Sequence, residues 1–195
     1  RLSIQDLTQK GHQPMLSKDS RYALVFNGEI YNFKDIRHNL ESKGHRFYTR
    51  TDTEVLLKLY EIKGENCIND LEGMFAFAIV DKKNNTIFLA RDRFGIKPLY
   101  ILKDKGILYF TSEIKAFLPF VISNNIKWEI NEDVLNEQMV FRFVSGKETL
   151  IKNVEKFPPG CLAIFKNGIL KFESYYKFEE KNIKIKNLKS LEDYI

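Results

Sequence analysis

Apolar and polar positions along the chain follow two periods. Alternating β-branched and aromatic residues over 22–27 predict the first clear strand. In "ALVFNGEIYN" the apolar run reaches Asn27-Gly28-Glu29, and the strand is expected to stop there. Over 33–43 the period changes. Ile36 and Leu40 fall one helical turn apart, and Gly44 follows as a stop. A short strand is expected over 46–50. In "TDTEVLLKLYEIKG", Thr51 or Asp52 can cap a helix, and Glu54 lies in its first turn. Val55, Leu56, Leu59 and Ile62 form its apolar stripe, and Gly64 ends it.

"GMFAFAIV", over 73–80, is apolar on both faces and reads as a strand buried between layers. "DKKNN" is a polar turn and "TIFLAR" its hairpin partner. A second hairpin turns at Lys105-Gly106. "EIKAFLPF" reads as a short helix ended near Pro119, and "INEDVLNEQMVFRF" as a helix with Asn131 as its cap. A late hairpin turns at Asn167-Gly168 and reads as an extension leading elsewhere. Successive strands joined by tight turns predict antiparallel sheets covered by helices on their outer faces.

With 195 residues, 44% of them hydrophobic, the chain can bury one sizeable core. Its net charge of +5 would matter if the basic residues clustered. They are spread instead, as in "KNIKIKNLK", so no nucleic-acid partner is expected. Cys67 and Cys161 are too few for a disulfide scaffold and fit a reducing compartment. No apolar run reaches the roughly 18 residues of a membrane helix, and no signal peptide is visible. The reading is therefore cytoplasmic, with no membrane partner. The chain opens on Arg1 and closes on "LKSLEDYI", the start of an amphipathic helix, so both ends read as fragment boundaries.

There is no Walker loop, GxGxxG, HExxH or CxxC, and no G-x-S-x-G elbow. His12, His38 and His45 lack metal-ligand spacing, so no metal site is expected. What remains is Arg1, the Asn27-Gly28-Glu29 triplet and Asp52. Together they suit an amino-acid amide. Arginine can grip an α-carboxylate in two prongs, and acidic side chains can hold an α-ammonium. A side-chain amide and a glycine N–H can stabilise the oxyanion formed when an amide carbonyl is attacked. Each residue alone also reads as ordinary structure: a turn, a helix cap, a solvated arginine.

The blocks "RLSI", "QPM", "NGEIYN", "TDTEVLL", "LEGMFAFAIVD", "ARDRFGIKPLY" and "SEIKA" occur in this order. Together they closely resemble the glutaminase domain of glutamine-hydrolysing asparagine synthetases, class II glutamine amidotransferases of the N-terminal-nucleophile hydrolase group. The resemblance is dense over 1–120, and the "PPG" hairpin over 158–176 resembles the tail of the same domain. It implies an α+β fold, a four-layer αββα sandwich of two antiparallel sheets flanked by helices. The domain would span 1–180, and 181–195 would lead into a synthetase domain.

The resemblance also implies roles. Arg1 would hold the α-carboxylate of L-glutamine, and the backbone of Leu2, Ser3, Ile4 and Gln5 would line its pocket. Asn27 and Gly28 would form the oxyanion hole, and Glu29 and Asp52 would receive the α-ammonium. Arg91 and Asp92 are expected to be scaffold. The family's nucleophile is an N-terminal cysteine whose own amine acts as base. In the family "RLSI" follows that cysteine by a leading segment. The expectation is that this stretch holds the pocket without the nucleophile and alone hydrolyses no glutamine. Cys67 and Cys161 are expected to be small buried residues instead. The domain itself would need no cofactor. ATP and Mg2+ would belong to the synthetase domain of the same polypeptide, where ammonia and aspartate become asparagine. A homodimer is possible. The alternatives are a related enzyme with another acceptor, or a glutamine-binding module without chemistry.

Overall fold

The computed structural model describes residues 11–178. The chain folds as an α+β structure with two antiparallel sheets. The larger has six strands: β1 (Met15–Leu16), β2 (Tyr22–Ile30), β3 (Gly73–Asp81), β4 (Thr86–Arg91), β8 (Cys161–Lys166) and β9 (Ile169–Ser174), in the order β1-β2-β3-β4-β8-β9. The smaller is β6-β5-β7, from β5 (Tyr100–Asp104), β6 (Ile107–Thr111) and β7 (Val154–Lys156). Four α-helices are described: α1 (Phe33–Ser42), α2 (Asp52–Lys63), α3 (Leu118–Ser123) and α4 (Leu135–Phe141).

Three apolar clusters order the layers. In the first, one face of the larger sheet (Leu24, Ile30, Phe75, Phe77, Phe88) packs against α1 through Leu40 and against α2 through Val55, Leu56 and Leu59. In the second, the other face of that sheet meets the smaller sheet. There Ala76, Ala78 and Ala163 oppose Leu99, Ile101 and Leu108. Small side chains on one partner let the two sheets approach closely. In the third, Leu102 and Val154 of the smaller sheet pack on Phe117 and Val121, which brings in α3. Helices, sheet, sheet and helix therefore follow one another, the αββα order implied by the resemblance.

Several local expectations are corrected. β2 does not stop at Asn27-Gly28-Glu29. It runs on to Ile30, and all three residues stay in the ladder with β3. Ile30, fully buried, restores the apolar alternation after the polar triplet, and tertiary burial carries the strand through it. Residues 46–50 form no strand. Glu54 holds their backbone instead, its carboxylate accepting from the N–H groups of Tyr48 and Thr49. Ile62 is exposed, and the buried stripe of α2 uses Leu57 instead. Pro119 lies in the first turn of α3 and does not end it, a position where its missing N–H is not needed. Asn131 does not cap through its side chain, which donates to the Thr149 carbonyl. The late hairpin is no extension, because β8 pairs with β4 over 86–90 and completes the larger sheet.

Candidate functional site

The site begins with a break in pattern at the end of β2. Asn27, Gly28 and Glu29 pair with Ala76, Phe75 and Met74 of β3. Alternation turns Phe26 and Ile30 toward the helices. It turns Val25 and Asn27 toward the smaller sheet. There Asn27 lines a cleft of about 610 Å³, shared with Gln13, Lys97, Ser112 and Glu113.

Gly28 is required by close approach. Its φ is +148°, and a Cβ built there would lie 2.1 Å from the Met74 carbonyl oxygen and 2.7 Å from Phe75 Cα. Only a residue without a side chain lets the two strands meet in this way.

The outer edge of β2 carries a row of N–H groups. Phe26 N–H donates to Gln13 Oε1 at 2.8 Å, and Ile30 N–H donates to Asp52 Oδ2 at 3.1 Å. Between them, ladder alternation sends the Gly28 N–H to the same edge. Its partner across the ladder, Phe75, is already engaged on its far side. Phe75 N–H donates to Asp92 Oδ2, and the Phe75 carbonyl accepts from Asp92 N–H. The Gly28 N–H thus points away from β3, past the two residues at which β1 pairs with this edge.

Asp52 reaches this edge because α2 starts beside it. Thr51 caps the helix, its Oγ accepting from Glu54 N–H at 3.1 Å. Asp52 follows as the first helical residue, 3% exposed. Burial pushes its pKa above the ordinary value of 3.8. The N–H groups of Ile30, Thr53 and Asp52 itself oppose that, and the neighbouring Glu29 charge adds to it. Among the described residues no lysine or arginine pairs with it. The corner thus gathers Asn27, Gly28, Glu29 and Asp52. It combines a side-chain amide, an outward-pointing backbone donor and two neighbouring carboxylates.

Arg91 and Asp92 do a different job. Asp92, 1% exposed, accepts from the N–H groups of Phe94, Ile96, Lys97 and Phe75 at 2.9–3.2 Å. Arg91 donates to the carbonyls of Lys97, Gly95 and Phe157 at 2.6–2.7 Å. The expected scaffold role fits this wiring.

Arg1, Leu2, Ser3, Ile4 and Gln5 lie outside the described residues. Cys67 is fully buried as expected, and burial pushes its thiol up to about 12. A thiolate there would be scarce at neutral pH. Cys161, expected to be buried, is only half-buried, at the first position of β8 and paired with Ser174 of β9. Among the described residues no group of three or more His, Cys, Asp or Glu could hold a metal ion. Nor is any described helix long and apolar enough to cross a membrane. Sequence reasoning missed the part played by Gln13. The only signal was its place in "QPM", a block without periodicity, and no local rule aims that amide at a strand 13 residues away.

A family model described as "Glutamine amidotransferase domain" matches residues 1–176. The chain is 42% identical over 184 residues to asparagine synthetase [glutamine-hydrolyzing] 1 of Bacillus subtilis, covering 94% of this chain and 28% of that protein. It is 46% identical over 179 residues to a probable asparagine synthetase [glutamine-hydrolyzing] of Dictyostelium discoideum, covering 87% and 32%. The chain thus spans about a third of the length of these curated relatives. Among solved structures, the allosteric regulatory enzyme of purine biosynthesis superposes with a TM-score of 0.60 at 25% identity, over 84% of this chain and 31% of that one. Glutamine phosphoribosylpyrophosphate amidotransferase of B. subtilis superposes at 0.58 and 24% identity, over 86% and 32%, a likeness of fold.

Proposed function

This chain belongs to the class II glutamine amidotransferase family, and on that premise we propose that it is the ammonia-supplying unit of a glutamine-hydrolysing asparagine synthetase. Residues 1–180 would form that unit. The reaction assigned to it converts glutamine and water to glutamate and ammonia.

The observation that carries the reading is the β2 edge: an outward-pointing Gly28 N–H beside Asn27, with the buried Asp52 carboxylate on the N–H of Ile30, two residues along the strand. When a nucleophile adds to the glutamine amide carbon, the carbonyl oxygen gains charge. Asn27 Nδ2 and the Gly28 N–H receive that charge. Asp52, together with Glu29, receives the α-ammonium, Arg1 holds the α-carboxylate, and the backbone of 2–5 lines the pocket. An ammonium beside Asp52 offsets the burial that raises its pKa, so substrate charge and site charge match. The family's nucleophile is an N-terminal cysteine thiolate. Cys67, sealed in the core, does not suit that task. ATP and Mg2+ would act in the synthetase part of the polypeptide, activating the acceptor carboxylate toward ammonia.

The test uses the full-length polypeptide. Ammonia release from L-glutamine is measured with and without aspartate and ATP, for wild type and Asn27→Ala. Removing one oxyanion donor is expected to lower the glutaminase rate by about 10² to 10³, while synthesis driven by added ammonium salt continues. Release without asparagine moves the acceptor elsewhere. An unchanged glutaminase rate in Asn27→Ala removes the site from this edge.

A further inference from the structure

We infer that Gln13 is a positioning residue for glutamine hydrolysis, one of two clamps that hold the Gly28 N–H on the open edge of β2. The inference rests on the glutamine reading above and adds a residue to it.

Among the described residues, β1 is the strand that pairs with this edge of β2. β1 pairs only through Met15 and Leu16, opposite Leu24 and Ala23. Beyond that pairing, the next outward N–H groups belong to Phe26, Gly28 and Ile30. An unpaired sheet edge is free to twist, and a glycine at φ +148° is the softest point along it. Gln13 Oε1 fixes the strand on one side of this point through Phe26 N–H at 2.8 Å. Asp52 Oδ2 fixes it on the other through Ile30 N–H at 3.1 Å. The donor that must meet the oxyanion therefore sits between two side-chain acceptors, each one strand repeat away.

Gln13 continues the β1–β2 ladder by imitation. Its amide oxygen stands where the carbonyl of a longer β1 would stand. A true strand there would extend along the edge and cover Gly28. A side-chain acceptor secures Phe26 and, unlike a longer strand, does not run on across the Gly28 N–H. Gln13 also lines the same cleft as Asn27, so its body lies beside the groups it orients.

The prediction separates hydrogen bonding from packing. In the full-length polypeptide, Gln13→Met keeps the length and removes the acceptor. Gln13→Glu keeps the length and the acceptor. If Gln13 works as a clamp, Gln13→Met lowers the glutaminase kcat about tenfold to a hundredfold, the scale of a small misplacement of a catalytic donor. KM for glutamine should stay near wild type, because the lost alignment matters to the transition state. Gln13→Glu should remain within about threefold of wild type. Hydrogen exchange in the peptide over 23–30 should speed up in Gln13→Met and not in Gln13→Glu. An unchanged melting transition shows that each variant is folded.

The opposite order, with Gln13→Met active and Gln13→Glu impaired, would make Gln13 a packing residue and overturn the inference. Equal activity in all three would overturn it too. Asn27→Ala run alongside separates the two layers of the argument. If Asn27→Ala is inactive and Gln13→Met fully active, the glutamine site stands and the clamp falls. If Asn27→Ala is fully active, the site itself is elsewhere and the clamp falls with it.

Discussion

Asp52, at the outer edge of β2, and Asp92, beside β3, are both buried aspartates, and they live under opposite terms. Asp92 sits at the end of β4 with four backbone N–H groups on its two oxygens. Those bonds replace the water lost on burial and fold the 92–97 loop around the carboxylate. Asp52 accepts from the Ile30 N–H of a neighbouring strand and from the N–H groups of Thr53 and Asp52 at its own helix start, with a long 3.5 Å contact from the Thr53 hydroxyl. Its pKa is raised by burial and by the Glu29 charge. One carboxylate is satisfied by its own fold. The other carries electrostatic demand that a bound cation can meet. A buried charge that the fold has not quieted is where binding is to be sought.

The strongest test of the contrast is Asp92→Ala. It strands several buried N–H groups at once, and about 3–5 kcal/mol of stability should be lost, read from denaturant melts. A loss below about 1 kcal/mol would show that the 92–97 loop does not depend on its carboxylate.

Asp52→Asn should do the reverse. It removes the raised, buried charge and leaves an oxygen for Ile30 N–H, so stability should hold or rise slightly. Glutamine-dependent kcat/KM should fall by about 10² or more, because a charge-assisted contact to the substrate is lost. Lost stability with retained activity would reverse the roles given to the two aspartates.

The pH dependence sharpens the same point. The folded pKa of Asp52 is raised, so the folded state holds that proton more tightly than the unfolded chain does. The stability this contributes is present below the ordinary value of 3.8 and is lost as pH rises through the folded value. Compared with Asp52→Asn, wild type should therefore lose ground as pH climbs from 3.8 upward. Parallel stability curves over that range would contradict the raised pKa.

The smallest effect is expected at Cys67. Cys67→Ala should cost about 1 kcal/mol of packing and leave the glutaminase rate of the full-length polypeptide unchanged. Loss of activity without loss of stability would give that thiol a chemical role.

Much of this was legible beforehand, for identifiable reasons. The paired hairpins were readable because Asn167-Gly168 and Lys105-Gly106 carry their own turn chemistry. α2 was readable because cap, first-turn acid, most of the apolar stripe and the terminal glycine agree, with Leu57 in place of Ile62. The four-layer order needed the resemblance, since local period says where a strand lies and not which sheet takes it. β8 shows the limit. Its pattern marks a hairpin arm, while its partner β4 is about 75 residues earlier in the chain, beyond local chemistry.

At the site, residue types and order along the chain were enough to nominate Asn27, Gly28, Glu29 and Asp52, because an amide, a glycine and two carboxylates suit one ligand. Their meaning changed in the fold. By itself the sequence determined which groups were available and which local elements would carry them, because caps, turns and apolar periods are short-range properties. Only the tertiary structure decided that β2 runs through the polar triplet, and that Gln13 and Asp52 flank Gly28 on one edge. It also decided that Asp92 is quieted while Asp52 is not. Those outcomes depend on which distant N–H groups and carboxylates meet in a dry interior, and burial sets that only once the layers have packed.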